Sequence, residues 1–204
     1  MKDIDYSYEY EDGDGKYCYP KTNVLRNKFD IKNIEELRSA ERELSMARYF
    51  SMEAKGVTGD FSLEHLKSIH KWLFQDIYTW AGEIRTVDIS KRTIFCLVQF
   101  IEPQFEIIFQ WLTTQNFLAD VKDKEEMSKK VAYLLGELNM IHPFREGNGR
   151  TQRMYIEQIC KNNGRFEINF SRATKEEMLQ ASIDTSLCDC LSMEKLIYNC
   201  LQEL

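Results

Sequence analysis

The segment His142-Pro-Phe-Arg-Glu-Gly-Asn-Gly-Arg-Thr-Gln-Arg153 decides how this chain is interpreted. It lies between two stretches of helical periodicity. Apolar residues recur at steps of three and four from Met127 to Leu138, and a second helical pattern runs from Arg150 to about Asn162. Proline disfavours helical backbone at the residue before it, so we predict that the first helix ends at His142. The segment is therefore predicted to be a short loop that joins two helices.

The loop contains residue types that suit the binding of an anion. Gly147 and Gly149 can adopt positive φ and let a ligand approach the backbone closely. Successive N–H groups at the start of a helix form a concavity that binds anions. Asn148 can either hold the loop or donate to an oxygen of the ligand. Arg150 and Arg153 are three residues apart and share one helix face, where their natural partners are phosphates or carboxylates.

Glu146 and His142 add a metal ligand and a base to this pattern. A carboxylate beside a phosphate site implies a hard cation between the two, and Mg²⁺ commonly takes one or two carboxylates together with phosphates. His142 is the group here whose ordinary pKa lies near neutrality. These residues together describe a phosphate-transfer site. The alternative is a plain interhelical turn that precedes a solvated helix face, with a histidine that only packs in the loop.

Composition limits the kinds of partner. The chain has 204 residues with 27 Lys and Arg against 33 Asp and Glu, a net charge of −6. A chain of this sign has no summed positive field, so we expect no direct nucleic-acid binding and no membrane association. No apolar stretch follows Met1, which predicts no secretory signal and a cytoplasmic location. A secreted effector without such a signal stays an alternative.

The cysteines and the other histidines suggest no second site. None of the six cysteines forms a C-x-x-C pair, so we expect free thiols. His65 and His70 are five residues apart and do not share a helix face as an i, i+4 pair of ligands would. We expect both at the edge of the core or on the surface.

The rest of the sequence predicts an all-α domain with one small β-hairpin. Helix starts are indicated at Asn33, Ser62, Pro103, Asp123, Thr174 and Ser192, mostly by capping residues. The second of these helices is predicted to end at Gly82, and the last to run to the terminus. Two β-rich runs, 85–90 and 93–98, predict a hairpin over residues 85–98, which we call the flap.

The loop segment also resembles a known signature, H-x-F-x-[D/E]-G-N-G-R-x-x-R, which belongs to the Fic domain. Every specified position matches. The similarity extends to Leu66–Gly82, to Ile84-Arg-Thr-Val, to Ile89–Ile101, which looks like the flap of the family, and to Tyr17–Asn27, and so covers most of residues 17–190. The resemblance implies a Fic-type helical bundle, and we expect a single Fic domain with C-terminal helices over residues 17–204. Residues 1–16 are acidic and turn-rich, and we expect them to form a flexible N-terminal arm.

The resemblance also implies an activity. Fic domains mostly transfer AMP from ATP to a Ser, Thr or Tyr hydroxyl of a target protein and release pyrophosphate. By resemblance, His142 would deprotonate the target hydroxyl, and Glu146 would hold Mg²⁺ between the α- and β-phosphates. The remaining members of the signature would hold the nucleotide: Gly147, Asn148 and Gly149 as an anion hole, Arg150 at the outer phosphates and Arg153 at the γ-phosphate. Phe144 would have a structural role, pointing into the core and fixing the loop.

Two further sets of residues are predicted with less support from motifs. The flap would pair with the backbone of the target as an added strand, and its candidate docking residues are Lys91, Arg92, Thr93, Ile94 and Phe95. Lys28 and Phe29 are candidate walls of the nucleotide pocket. The alternative for the flap is an ordinary hairpin that covers the core.

Regulation in the family has a sequence signature of its own. Many Fic proteins are held inactive by a helix with [S/T]-x-x-x-E-[G/N], whose glutamate pairs with the second signature arginine. Here Glu146 is the only glutamate followed by Gly or Asn, and Ser39-x-x-x-Glu43 is followed by Leu44. The resemblance therefore implies a toxin with a separate small antitoxin that supplies the glutamate. By resemblance alone, a type II topoisomerase subunit is the expected target.

Three alternative functions stay open. One is a different transfer at the same site, of UMP or of a phosphoryl group, although Gly147 favours nucleotidyl transfer because a larger residue would crowd the anion site. Another is a non-catalytic module that binds nucleotide or protein. The third is a metal-dependent hydrolase that removes AMP, an activity that in the family normally needs the inhibitory glutamate.

Overall fold

A computed structural model describes residues 9–10, 15–55, 57–91 and 93–204, with the backbone alone at 9–10, 53–55, 91 and 93. The residues so described form seven α-helices, which are α1 (Ile34–Lys55), α2 (Leu63–Phe74), α3 (Ile101–Thr114), α4 (Lys124–Ile141), α5 (Asn148–Asn163), α6 (Lys175–Ser186) and α7 (Leu191–Cys200). Most of the predicted arm, at residues 1–8 and 11–14, lies outside the described residues. The predicted all-α class is confirmed.

Side-chain caps start several helices where the sequence predicts them. Asn33 accepts from the backbone of Glu36 at α1, Ser62 from His65 at α2, and Asp123 from Glu126 at α4. Thr174 and Glu177 form a complete capping box at α6. Each cap satisfies N–H groups that lack an intrahelical acceptor, which fixes where the helix begins.

The β structure is short. Strands β1 (Glu9–Tyr10), β2 (Ile89–Lys91) and β3 (Thr93–Ile94) form an antiparallel sheet in the order β1-β2-β3. The predicted flap is therefore present as the β2–β3 hairpin, but its strands are shorter than predicted, and Val98–Phe100 forms a 3-10 turn instead. Arg92, between the two strands in sequence, lies outside the described residues.

Several predicted boundaries are wrong. Helix α3 begins at Ile101, before Pro103, and the predicted cap Ser192 lies inside α7, which follows Cys190 without a side-chain cap. Two predicted helix ends differ as well. Helix α2 ends at Phe74, not at Gly82, although Ile77 and Trp80 continue its apolar spacing and are buried in the turns that follow. The last helix stops at Cys200, and the chain continues as strand β5 (Leu201–Glu203), which pairs with β4 (Phe166–Ile168). In both places burial against the core decides the backbone, because apolar spacing alone does not distinguish a turn from a helix.

Helix α4 lies at the centre of the molecule and packs against α3, α5, α6 and α7. Its inward residues Met127, Val131, Leu134 and Leu138 are fully buried. The loop from His142 to Gly147 joins the C-terminal end of α4 to the N-terminal end of α5, so two packed helices hold it from both sides. Within the described residues, no helix combines the length and apolar character that a membrane crossing requires.

Candidate active site

His142 ends α4 in a left-handed conformation, with φ 47° and ψ 60°. This backbone region costs a non-glycine residue about 1–2 kcal/mol, so the surrounding contacts must stabilise it. The Nδ1–H of the imidazole donates to the carbonyl of Asn139 at 3.1 Å. Because Nδ1 carries the proton in this hydrogen bond, the neutral ring has Nε2 as its basic atom. The predicted end of the helix before Pro143 is confirmed.

The flap covers the other side of this imidazole. The ring of Phe95 stacks on that of His142 with centroids 3.9 Å apart, and Phe95 is nearly buried. Ile94, one residue earlier, points outward and is 68% exposed. The alternation of a strand thus separates an inward face, which touches the candidate base, from an outward face available to a partner.

Asn148 closes the loop on itself. Its Oδ1 accepts from the N–H of Phe144 at 2.9 Å, and its Nδ2 donates to the carbonyl of Phe144 at 2.7 Å. The side chain is almost fully buried. Of the two roles open to Asn148 from the sequence, holding the loop is the one seen, and its part in an anion hole stays a prediction.

His70 supports the loop from below, and the expectation of an edge or surface position is wrong for it. The residue is fully buried, its ring stacks on Phe144 at 3.9 Å, and its Nε2–H donates to the carbonyl of Glu146 at 3.0 Å. Its Nδ1 accepts from the N–H of Gly82 at 2.8 Å. Burial lowers the pKa of His70 to about 3, so the ring is neutral and keeps this pair of hydrogen bonds. His65 is buried as well.

Gly147 has two reasons to be glycine. Its φ is +81°, and a Cβ at this position would lie 2.4 Å from ring atoms of Phe74. The loop can therefore pass closely over α2 only without a side chain. Gly149 differs, since a Cβ there would approach only the terminal nitrogen of Arg153, at 3.3 Å.

Glu146 has the environment of a ligand for a hard cation. One oxygen of its carboxylate accepts from the N–H of Gly147 at 3.0 Å. Burial and the nearby charge of Glu41 raise the pKa of Glu146, while the Gly147 hydrogen bond and Arg150 oppose the rise. No group of three or more His, Cys, Asp or Glu side chains that could hold a metal occurs in the described part of the chain. A site with a single carboxylate leaves most of the coordination shell of the metal to phosphate oxygens. This arrangement suits Mg²⁺ better than it suits a metal whose ligands all come from the protein.

Arg150 is engaged by α1. Its guanidinium donates to Glu41 and, at 2.8 Å, to the hydroxyl of Ser45, and it lies 4.7 Å over the ring of Phe74. Glu41 also accepts from the hydroxyl of Tyr78. We did not identify Glu41 and Ser45 from the sequence. The signal for them is their i, i+4 spacing on the face of α1 that also carries the buried Leu37.

Arg153 lies one turn further along α5 and is placed differently. Arg150 pairs with Glu41, whereas Arg153 forms no ion pair and donates no side-chain hydrogen bond within the part of the chain that the structure describes. Burial and the neighbouring charge of Arg150 lower its pKa. A partly desolvated guanidinium near a helix N-terminus suits an anionic ligand.

The predicted nucleotide-pocket residues lie beside the segment that follows α2. Lys28 donates through its side chain to the carbonyl of Gln75 at 2.6 Å, and through its backbone to that of Ile77. Phe29 is 54% exposed, and its N–H donates to Asn27. Of the predicted flap residues, Ile94 and Phe95 are placed as described above, whereas the side chains of Lys91 and Thr93 and all of Arg92 are outside the description.

Comparison with known proteins decides the family. The profile of the Fic/DOC family matches residues 60–160, which include α4, the loop and most of α5. A curated relative of Sinorhizobium fredii, named "Probable protein adenylyltransferase y4lH", is 36% identical over 81% of this chain and 85% of its own length. The chain belongs to the Fic/DOC family.

Other Fic/DOC proteins extend the similarity. Protein adenylyltransferase VbhT of Bartonella schoenbuchensis is 38% identical over 96% of this chain, which spans 41% of that protein's length. The solved N-terminal Fic domain of a VirB-translocated Bep effector protein from Bartonella quintana, with bound ADP, has a TM-score of 0.84 and 27% identity. It covers 92% of this chain, which covers 94% of it. The predicted Fic-type helical fold is confirmed.

Proposed function

We propose that this chain is a protein adenylyltransferase, which moves AMP from ATP to a Ser, Thr or Tyr hydroxyl of a target protein. One observation carries the proposal. The closed loop places a histidine with a basic Nε2 and a half-buried carboxylate together at the N-terminal end of α5. The adenylyltransferase names of the Fic/DOC relatives support the same activity.

His142 acts as the general base. The target hydroxyl gives its proton to Nε2, and its oxygen forms a bond to the α-phosphorus of ATP. The bond from that phosphorus to the oxygen bridging to the β-phosphate breaks, and pyrophosphate leaves. Asn139 and Phe95 hold the ring during this step, so that little entropy is lost when the hydroxyl arrives.

The nucleotide lies with its phosphates at the start of α5. The first N–H groups of a helix lack intrahelical acceptors and bind anions, and the closed loop presents them in one direction. Arg153 faces the γ-phosphate. Arg150 contacts the outer phosphates only by sharing its guanidinium with Glu41 and Ser45, which anchor it to α1. Lys28 and Phe29 border the nucleotide.

Glu146 would hold Mg²⁺, which would neutralise charge on the phosphates of the nucleotide and on the pyrophosphate. The chain itself contributes the position of the carboxylate, which the hydrogen bonds from Gly147 and, through the backbone, from His70 maintain.

The target docks on the flap as an added strand. Strand β3 lies at one edge of the sheet, and Ile94 on it points outward. A target segment that pairs with this edge presents its hydroxyl to His142. His142 is close to the hairpin because the ring of Phe95, which belongs to the hairpin, stacks on its imidazole. The residues 91–95 are the docking set.

Control of the enzyme comes from another chain. A small antitoxin supplies a glutamate that pairs with Arg153. The lack of an ion-pair partner for Arg153 among the described residues supports this. Glu41 already pairs with Arg150, so it does not take the antitoxin's place. The protein acts in the cytoplasm, and its target is a type II topoisomerase subunit.

Residues 17–204 form one Fic domain. Residues 1–16 precede this domain as an arm.

Labelling of a cell lysate tests this proposal. Purified wild-type protein and His142→Ala are incubated with lysate, Mg²⁺ and ATP labelled at the α-phosphate. We expect labelled protein bands with the wild type and none with the variant, and the modified protein gains the mass of AMP. A gain of UMP or phosphate mass would assign a different transfer, and labelling that persists in His142→Ala would contradict the mechanism.

A further inference from the structure

Arg85 is a buried arginine whose guanidinium donates to backbone carbonyls of two segments. It lies at the start of the flap, and its side chain is fully buried. Its Nε–H donates to the carbonyl of His142 at 2.9 Å, and one terminal nitrogen donates to the carbonyl of Val87 at 2.8 Å. The other terminal nitrogen donates to Cys96 and, at 3.4 Å, to Ile141. The guanidinium thus joins two carbonyls of the flap to two at the end of α4.

The backbone of the flap completes the same junction. The N–H of Arg85 donates to the carbonyl of Pro143 at 2.9 Å, and the N–H of Cys96 donates to that of Met140 at 3.0 Å. The last carbonyls of a helix lack intrahelical donors. In α4 the flap donates hydrogen bonds to the carbonyls of Met140 and Ile141. It also donates to the carbonyls of His142 and Pro143, which follow the end of the helix.

The chemistry of this site requires arginine. A guanidinium has five N–H donors in a rigid plane, so one side chain can bond carbonyls from two segments at once. A lysine ammonium keeps the charge but is a single point with flexible donors. The positive charge also lies at the C-terminal end of α4, where the helix dipole favours it. Asp88, the nearby carboxylate at 3.6 Å, is on the surface and more than half exposed.

We propose that Arg85 is a positioning residue that sets the register between the flap and the catalytic base. It fixes the carbonyl of His142, and with it the left-handed backbone that aims the imidazole. It also fixes Val87 and Cys96, which flank the strands of the hairpin. A target docked on the flap therefore meets Nε2 at a constant distance. This inference rests on the proposed function, in which the flap receives the target and His142 is the base.

The variant Arg85→Lys tests the role, with Arg48→Lys as its matched control. Arg48 makes a bidentate ion pair with Asp76 between α1 and the end of α2, away from the flap. We expect Arg85→Lys to lower the rate of lysate labelling by about 100-fold, because a shift of about 1 Å in a reacting group has an effect of that size. Affinity for a fluorescent ATP analogue stays at the wild-type value, since the flap junction does not touch the start of α5. Arg48→Lys keeps the labelling rate.

Histidine NMR gives a readout that does not depend on activity. The chain has three histidines, and the hydrogen bonds assign Nδ1–H to His142 and Nε2–H to His70. In protein labelled with ¹⁵N-histidine, Arg85→Lys converts the His142 signals to a mixture of tautomers and leaves those of His70 unchanged. A wild type that labels nothing would refute the proposed function, while these spectra still decide the role of Arg85.

A folded Arg85→Lys protein with wild-type His142 signals and wild-type labelling overturns the inference. If the variant does not fold, the wild-type protein decides the matter. We expect a slowly exchanging Arg85 Nε–H with scalar coupling across the hydrogen bond to the His142 carbonyl carbon. Rapid exchange without that coupling overturns the inference equally.

Discussion

Phe95 stacks on the imidazole of His142, with 3.9 Å between ring centroids and 18° between ring planes. One residue belongs to the flap and the other ends α4, so the hairpin proposed to receive the target also forms a wall of the catalytic base. The opposite constraint on the ring is the hydrogen bond from Nδ1 to Asn139. Together these contacts leave Nε2 as the atom that can meet a substrate.

Removal of this ring should slow the reaction. Aromatic pairs contribute about 0.5–1.5 kcal/mol beyond their buried area, so we expect Phe95→Ala to lower the initial rate of lysate labelling by about tenfold. Phe95→Leu keeps apolar bulk without a parallel ring and should fall between the two. Initial rates at saturating ATP provide the measurement. A Phe95→Ala protein as fast as the wild type would show that the stack does not position the base.

Glu41 should matter for stability far more than its neighbours on α1. It is nearly buried and pairs with Arg150 and Tyr78, so Glu41→Gln leaves a partly buried guanidinium without its charge partner. We expect the free energy of unfolding to fall by about 3 kcal/mol. Glu43→Gln, on the exposed face of the same helix, should change it by less than about 0.5 kcal/mol. Urea denaturation of both variants measures the difference, and equal effects would contradict the assigned role of Glu41.

Two glycines with positive φ separate backbone strain from crowding. Gly164 has φ +72° and open space around its Cα, so Gly164→Ala should cost about 1–2 kcal/mol from strain alone. In Gly147→Ala the same strain is joined by a clash with the buried ring of Phe74, which adds about 1–3 kcal/mol. Thermal or urea unfolding gives both values. We also expect Gly147→Ala, unlike Gly164→Ala, to abolish labelling, and retention of activity would contradict the account of the loop.

His70 makes stability depend on pH. Its pKa in the folded protein is about 3, below the ordinary value of 6.5, so between these limits the unfolded chain binds a proton that the folded chain does not. The contribution of His70 therefore lowers the free energy of unfolding by about 1.4 kcal/mol for each pH unit below 6.5. We expect His70→Asn to be less stable at neutral pH and to lose less stability on acidification. Urea titrations from pH 7.5 to 4.5 compare the two proteins, and parallel curves would contradict the prediction.

The sequence predicted those features that depend on residues close together in the chain. Caps at Asn33, Ser62, Asp123 and Thr174 and the end of α4 before Pro143 follow from local backbone chemistry. The loop could be interpreted for the same reason, because its base, carboxylate, glycines and arginines lie within twelve positions. The match to the Fic signature added the reaction and the fold.

Contacts between distant segments could not be predicted in this way. Arg150 meets Glu41 across 109 positions, and Arg85 meets His142 across 57. The motif predicts that Arg150 binds phosphate. That Glu41 already pairs with Arg150 is seen only once the helices are packed together. The misplaced end of α2 has a similar cause, since Ile77 and Trp80 are buried in turns with helical spacing.

The central claim is that the chain transfers the α-phosphoryl group of ATP, with its adenosine, by using His142 as the base. The most direct test compares parallel lysate reactions with ATP labelled at the α-phosphate and with ATP labelled at the γ-phosphate. Relative to lysate alone, we predict that the added protein raises the label that enters protein from the α-position and not the label from the γ-position, and that His142→Ala removes this increase. An increase from the γ-position, or an α-label increase that persists with His142→Ala, would contradict the account.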